Sequence, residues 1–357
     1  MTLFDSPAFE GHEGVHALFD AKSGLKCVIA VHSTALGPAA GGCRMWDYPT
    51  AEAALTDALR LSRAMSYKNA MADIPLGGGK AVIIGDARTE KTPELFEAFG
   101  RAVEGLCGRY WAAEDVGVSP ADLAHARRES RFIAGLDGHP AASGDPSPVT
   151  ADGVFRGVEL CVRRALGRGL DGVTVALQGV GHVGAYLADR LHAAGARLII
   201  TDVNEQALSE VAARTGAQVV APSAIFDAEA DVFAPCALGG AINAETLPRL
   251  KVRVIAGGAN NQLADPEIGR AVFAHGILYA PDYVINGGGI INVAGEIRAL
   301  DRNEAFDPAW VEGKVARMIE TLGEVLDRAQ AERRPTHEVA NEIARARIAA
   351  AERARAS

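Results

Sequence analysis

Residues 173–204 read VTVALQGVGHVGAYLADRLHAAGARLIITDVN, and no other stretch of the 357-residue chain narrows its fold as much. A β-branched run leads into Gly179, Gly181 and Gly184 in GxGxxG spacing, a helical stretch follows to Gly195, and a second apolar run ends on Asp202. Small residues at this turn let the backbone approach a pyrophosphate at the positive end of a helix, and a carboxylate closing the second strand can bind ribose hydroxyls. The segment therefore reads as a dinucleotide-binding βαβ unit. Asp202 would repel a 2′-phosphate, and no arginine follows in TDVNEQA, which favours NAD over NADP. Around it, helices alternate with short apolar strands (VTVALQ, RLIITD, AQVVA, ADVFAP, RVIAGG, GILYAP), the pattern of an α/β, doubly wound parallel sheet of the Rossmann type.

With 48% hydrophobic and 23% charged residues, the chain is long enough for two domains, which leaves room for a cleft. The prolines and serines of HPAASGDPSPV suggest a linker. We place a substrate-binding and oligomerisation domain at 1–145, the dinucleotide-binding domain at 146–330, and a C-terminal helix, about 331–357, packed back on the first. In the first domain, LKCVIAVHS reads as a strand. TAEAALTDALRLSRAM reads as a helix N-capped by Thr50, with Leu55, Leu59 and Met65 near helical spacing. KAVIIGD reads as a strand entered through the glycine turn of PLGGGK, Thr92-Pro93 opens a helix, and RYWAAEDVG reads as a strand presenting Glu114 and Asp115. The tail from Trp310 is helical and broken at Pro335.

The formal charge, 36 basic against 45 acidic residues, is -9 and disfavours a nucleic-acid or anionic-membrane surface, so a small-molecule partner is expected. Five cysteines stand singly without a CxxC pair, which suits reduced thiols in the cytoplasm and no metal centre. The amino terminus has neither the cationic start nor the apolar run of a signal peptide. PLGGGKAVI is not a phosphate loop, because Ile74 stands where that loop needs glycine and Ala81 where it needs Ser or Thr.

Lys80 is thus free for other chemistry, and Lys68, just past the expected helix, lies twelve residues before it. A chain reversal would aim both ammonium groups into one pocket; two solvated lysines are the alternative. GPAAGGCRMW, LRLSRAMSYKNA, PLGGGKAVIIGD, AAEDVG, SGDPSPVTADGV, APCALGG, IAGGANNQL and APDYVINGGGIINVA, in this order, resemble the amino-acid dehydrogenase family of leucine, phenylalanine, valine and glutamate dehydrogenases, most closely its leucine branch.

The resemblance implies reversible oxidative deamination of an L-amino acid by a homo-oligomer, dimer to octamer. Lys68 would hold the substrate carboxylate, Lys80 would be the general acid/base, and Asp115 would share its protons. Gly41 and Gly42 would let the carboxylate approach the backbone. Ala40, Met65, Ala113, Ile290 and Val293 would line the side-chain pocket, with Asn261 and Asn286 as amide partners. Beyond the three glycines and Asp202, the cofactor set would comprise His182, Val183, Val203, Cys236, Ala237 and Asn260. Ser147 and Thr150 would lie near the nicotinamide carboxamide, unless they only cap a turn in the proline-rich loop.

Glutamate dehydrogenases typically carry lysine at the Ala40 position and serine at the Val293 position, so a glutamate side chain would be unpaired, costing several kcal/mol. The leucine branch usually has leucine at the Ala40 position, and many relatives have valine at the Ile290 position. One or two methylenes discriminate only about 10- to 200-fold, so branched-chain substrates are favoured and phenylalanine and tryptophan remain open. Two other readings also stay open. A 2-hydroxy-acid dehydrogenase would pair a histidine with a carboxylate, and of the nine histidines only His182 lies in the fingerprint. A non-catalytic NAD sensor would keep Asp202 and the glycines but have no use for the lysine pair.

Overall fold

The computed structural model describes residues 3–356, which form two compact units. The first contains residues up to Gly144 together with Ile290–Val311 and the chain from Ala344; the second contains Asp145–Gly289 and Glu312–Ile343.

The first unit runs β1 (Gly14–Asp20), β2 (Leu25–Ser33), β3 (Ala39–Trp46), α1 (Ala51–Met71), β4 (Gly77–Ile84), α2 (Pro93–Glu104), β5 (Tyr110–Glu114) and α3 (Pro120–Arg127). Its sheet has the order β1-β2-β4-β3-β5, with β1, β2 and β4 antiparallel in turn and β3 parallel to both β4 and β5. This order sets the sequence-distant ends of β3, β4 and β5 side by side. Thr50 caps α1 by accepting from the Ala53 N–H, and Thr92 caps α2 by accepting from Leu95, with Pro93 in the first turn.

Three expectations for this unit need correction. Gly77, Gly78 and Gly79 form no turn; they are the first residues of β4. Lys68 does not follow the helix but lies inside α1. Of the three apolar positions at helical spacing Leu59 is fully buried, but Leu55 and Met65 are only partly so, and the buried residues of α1 also include Ala54, Ala58, Ser62, Ser66, Asn69, Ala70 and Met71. Over the bare glycines of β4, α1 presents Ser66 and Asn69, so the helix comes down to the strand there.

The second unit contains α4 (Ser147–Leu166), β6 (Thr174–Gln178), α5 (His182–Ala193), β7 (Arg197–Thr201), α6 (Glu205–Thr215), β8 (Gln218–Val219), β9 (Val232–Pro235), β10 (Val254–Ile255), α7 (Pro266–Ala274), β11 (Leu278–Tyr279) and α8 (Asp282–Ile285). All six strands pair in parallel in the order β11-β10-β9-β6-β7-β8. Strand order reverses between β6 and β9, the switch point where ligands bind such sheets. The α/β, doubly wound expectation holds. α9 (Gly288–Arg302), α10 (Pro308–Glu332) and α11 (Thr336–Ala356) complete the chain, with Pro335 between the last two as expected.

The expected boundaries shift. Residues 290–311, assigned above to the dinucleotide domain, belong to the first unit. The cause is Glu296 of α9, fully buried, which accepts from the Gly135, Leu136 and Ser143 N–H groups at 2.8, 3.2 and 3.1 Å and from the Ser143 hydroxyl at 2.7 Å. The carboxyl-terminal segment joins the first unit only from Ala344, where Arg347 donates to the Ala70 carbonyl at 3.0 Å. The expected linker ends early, since Ser147 already opens α4.

Among the described residues, no helix is long and apolar enough to cross a membrane, and no cluster of three or more His, Cys, Asp or Glu side chains is placed to hold a metal ion.

Candidate active site

In the first unit the proton-transfer groups are built on β4 and its neighbours. Lys80 of β4 is buried, and its Nζ donates to Asp115 Oδ2 at 2.5 Å. Two glycines make that placement possible. A Cβ on Gly42 would fall 2.7 Å from the Asp115 Cβ, and one on Gly79 would fall 2.6 Å from the Tyr110 ring. With both positions bare, Asp115 packs against β3, and the Tyr110 hydroxyl donates to the Gly41 carbonyl at 2.8 Å. Tyr110 therefore holds the backbone expected to face a substrate carboxylate.

Lys68 is positioned through its own helix. Ser66, two residues before it, covers Gly78, and Asn69, next to it, donates from Nδ2 to the Gly77 carbonyl at 2.6 Å. The turn of α1 bearing Lys68 is thus clamped to the start of the strand bearing Lys80. Met65 lies against Gly41, 3.1 Å from where a Cβ would stand. Ala40 and Ala113 are buried in the sheet, Val293 is buried and Ile290 partly buried in α9, so these four positions are apolar and enclosed.

Sequence reasoning missed the groups behind this pair. Arg44 Nε donates to the same Asp115 Oδ2 at 3.1 Å, and its NH1 donates to Asp57 Oδ2 at 3.0 Å. The Tyr48 hydroxyl donates to Asp57 at 2.5 Å. Burial pushes the Asp115 carboxyl up, but the Lys80 ammonium and Arg44 guanidinium outweigh it and hold it at about 2. Burial opposes the Arg44 charge, and Asp115 and Asp57 more than offset this, so its pKa rises. Burial and then the Asp57 hydrogen bond raise the Tyr48 phenol, which stays a neutral donor. A sequence signal existed: Arg44 is two residues beyond Gly42, and alternate strand residues share a face.

In the second unit the glycine fingerprint has the expected geometry. Gly179 adopts φ 94°, a left-handed conformation suited to glycine, and makes the turn out of β6. Gly181 caps α5, and a Cβ there would meet nothing within 4 Å, so its backbone is open to a ligand. A Cβ on Gly184 would fall 2.0 Å from the Gly179 carbonyl, so the third glycine seats the helix on the strand. Asp202 accepts from the Val180 N–H at 2.7 Å and from Asn204 at 2.8 Å, which fixes its carboxylate beside the loop. His182 and Val203 are exposed and Val183 is half-buried.

Cys236 follows β9, and its Sγ accepts from the Gly258 N–H at 3.2 Å; burial pushes its thiol up to about 11, which makes it a structural neighbour of the loop and not a nucleophile. Ala237 is exposed next to it. Asn286 donates to Asn260 Oδ1 at 2.8 Å, while its own Oδ1 is buried without a hydrogen-bond partner, as are Gln178 Oε1 and Thr201 Oγ1 at the ends of β6 and β7. Asn261 is exposed at φ 50°. Ser147 and Thr150 lie in the first turn of α4, where Thr150 donates to the Pro146 carbonyl at 2.9 Å and Asp145 accepts from the Ser147 N–H at 2.8 Å. The open glycine loop, the fixed carboxylate and the unmatched polar atoms fit a dinucleotide.

Residues 15–131 match the Glu/Leu/Phe/Val dehydrogenase dimerisation domain, and residues 198–356 match the Glutamate/Leucine/Phenylalanine/Valine dehydrogenase domain. A leucine dehydrogenase of Geobacillus stearothermophilus is 46% identical over 356 residues, 99% of this chain and 95% of that one. The chain belongs to the Glu/Leu/Phe/Val dehydrogenase family. A phenylalanine dehydrogenase of Bacillus thermotolerans is 44% identical over 98% of this chain and 91% of its own. The crystal structure of L-tryptophan dehydrogenase from Nostoc punctiforme superposes with a TM-score of 0.85 at 40% identity, covering 96% of this chain and 97% of the other. The resemblance read from the motifs therefore holds across both units, and the protein is an amino-acid dehydrogenase of a family that uses NAD(P).

Proposed function

We propose that this dehydrogenase catalyses the reversible, NAD-dependent oxidative deamination of an apolar L-amino acid, leucine and its branched-chain neighbours first, to the 2-oxo acid and ammonia. The observation that carries the reading is the buried Lys80–Asp115 pair, 2.5 Å apart, beside the bare backbone of Gly41 and Gly42.

Lys68 neutralises the substrate carboxylate, and the peptide groups at Gly41 and Gly42 receive it. Bound NAD supplies the acceptor for the hydride that leaves the α-carbon. Lys80 accepts the proton that leaves the substrate ammonium, passes it to solvent and, again a free amine, takes one from the water that attacks the imine carbon. It gives that proton to the carbinolamine nitrogen and then takes the hydroxyl proton, so that the carbonyl forms as the C–N bond breaks and ammonia departs as a neutral molecule. Held against burial at about 2 by Lys80 and Arg44, Asp115 stays ionised throughout, so instead of sharing protons as expected above it stabilises Lys80 when it is an ammonium.

NAD is favoured over NADP because the Asp202 side chain sits beside the loop, where it would repel a 2′-phosphate. Branched-chain substrates are favoured because Ala40, Ala113, Ile290 and Val293 offer no charge to a glutamate side chain. Phenylalanine is the second candidate, since Ala40 is smaller than the leucine usual in the leucine branch. The first unit matches a dimerisation domain, and we assign a homo-oligomer built through it. The five unpaired thiols suit the cytoplasm.

The test is NADH formation at alkaline pH with leucine, valine, isoleucine, phenylalanine, tryptophan, glutamate and lactate. Highest kcat/KM on a branched-chain substrate supports the reading. Turnover of lactate with no amino acid turned over would overturn it, and a Lys80→Ala protein with full turnover would remove its mechanism.

A further inference from the structure

Four charged side chains meet at Asp115 and Arg44. Asp115 Oδ2 receives Lys80 Nζ at 2.5 Å and Arg44 Nε at 3.1 Å, and Arg44 NH1 reaches Asp57 Oδ2 at 3.0 Å. Arg44, Asp57 and Asp115 are each about a quarter exposed at their side chains, against 7% for Lys80. Asp57 belongs to α1, eleven positions before Lys68, which is about three helical turns and returns to nearly the same face. One helix thus presents the far end of this network and the lysine expected to hold the substrate.

We propose that Arg44, braced by Asp57 and Tyr48, is a positioning residue for the deamination, which keeps Asp115 ionised and oriented while balancing its charge, so that Lys80 can release its proton. The proposal rests on the reading that Lys80 is the general acid/base. A carboxylate 2.5 Å from an ammonium, left uncompensated in a half-buried site, would hold the lysine in its charged form and stall a step that needs the free amine. Arg44 supplies a second cation to the same oxygen and weakens that hold. Its planar fork reaches two carboxylates at once, which a lysine ammonium does not reproduce at this geometry. Because both of these guanidinium contacts are to carboxylates of the protein, Arg44 is placed to act on Asp115 and not on a substrate anion. With Asp115, Asp57, Arg44 and protonated Lys80, the cluster sums to zero charge.

The experiment compares kcat, KM for leucine and the pH profile of kcat/KM in the oxidative direction for the full-length protein and four variants. In Arg44→Gln, kcat at a fixed pH falls about 10- to 100-fold, KM stays within about threefold, and the acid limb of the profile moves up by about one pH unit. Arg44→Lys restores the limb but only part of kcat. Asp57→Asn, which removes a carboxylate, lowers kcat a few-fold through lost orientation and moves the limb the other way, to lower pH. A general loss of packing would not produce shifts of opposite sign. An unmoved limb in Arg44→Gln, or a loss confined to KM, overturns the proposal. If Arg44→Gln is insoluble, an unmoved limb in Asp57→Asn does the same. Lys80→Ala separates the two claims: turnover retained there defeats the underlying reading, whereas turnover lost there with an unmoved limb in Arg44→Gln defeats only the role of Arg44.

Discussion

Ser66 of α1 lies directly over Gly78 of β4, so close that a Cβ on the glycine would fall 2.1 Å from the Ser66 nitrogen and 2.2 Å from its hydroxyl. The helix that carries Lys68 and the strand that carries Lys80 are in contact at a point with no side-chain depth. The distance between the two lysines is therefore set by backbone, which does not yield as a rotamer would.

Gly78→Ala forces α1 away from β4. We expect a loss of about 1 to 3 kcal/mol in stability and a higher KM for the amino acid, since Lys68 moves with the helix. Thermal denaturation and steady-state kinetics check it; a protein with unchanged Tm and KM would show that the contact does not set the site.

Asp115→Asn removes the partner of Lys80. Turnover should fall about 10²- to 10⁴-fold. The Asp115 carboxyl lies at about 2, below its ordinary 3.8, so its contribution to stability is complete above pH 3.8 and is lost as pH falls through 2. That contribution is about 2 kcal/mol, so urea midpoints of wild type and variant should differ at pH 5 and converge towards pH 2.5. A constant difference would contradict the assignment.

His32 is held at about 4, below its ordinary 6.5, by burial first and then by His12, whose ring lies 4.9 Å away, with Glu13 opposing. Its Nδ1 is 2.7 Å from the Ser66 hydroxyl, on the same serine that covers Gly78, and Tyr67 flanks the ring. A depressed histidine destabilises the fold as pH falls from 6.5 towards 4, by up to about 3 kcal/mol. His32→Gln should flatten the stability profile in that window; parallel profiles for the two proteins would refute the cause.

Asp202→Ser tests the cofactor preference. NAD should bind roughly tenfold more weakly, and the NADP-to-NAD ratio of kcat/KM should rise about 10- to 100-fold. An unchanged ratio would mean that Asp202 does not face the ribose.

Much of the second unit was legible because its signals are local. Six short apolar runs became six parallel strands, and the spacing of Gly179, Gly181 and Gly184 specified a turn whose parts lie within six residues. The first unit was less legible. A glycine triplet is a strong turn signal in isolation, yet Gly77, Gly78 and Gly79 serve close approach inside a strand, and only the helix above them shows that. The brace on Asp115 was only half legible: the strand period puts Arg44 on the Gly42 face of β3, but Arg44 lies 71 positions from Asp115 and 13 from Asp57, and no local pattern names those partners.

The sequence by itself determined the α/β class, the dinucleotide fingerprint, the helix caps at Thr50 and Thr92, and the motifs that mark an amino-acid dehydrogenase, since each depends on residues within one or two turns of one another. Tertiary structure decided that Lys80 meets Asp115, that Arg44 and Asp57 stand behind them, and that Glu296 draws residues 290–311 into the first unit. Those outcomes follow from the sheet order β1-β2-β4-β3-β5, which brings distant strand ends together, and from buried charges and polar groups that must find partners wherever the folded chain supplies them.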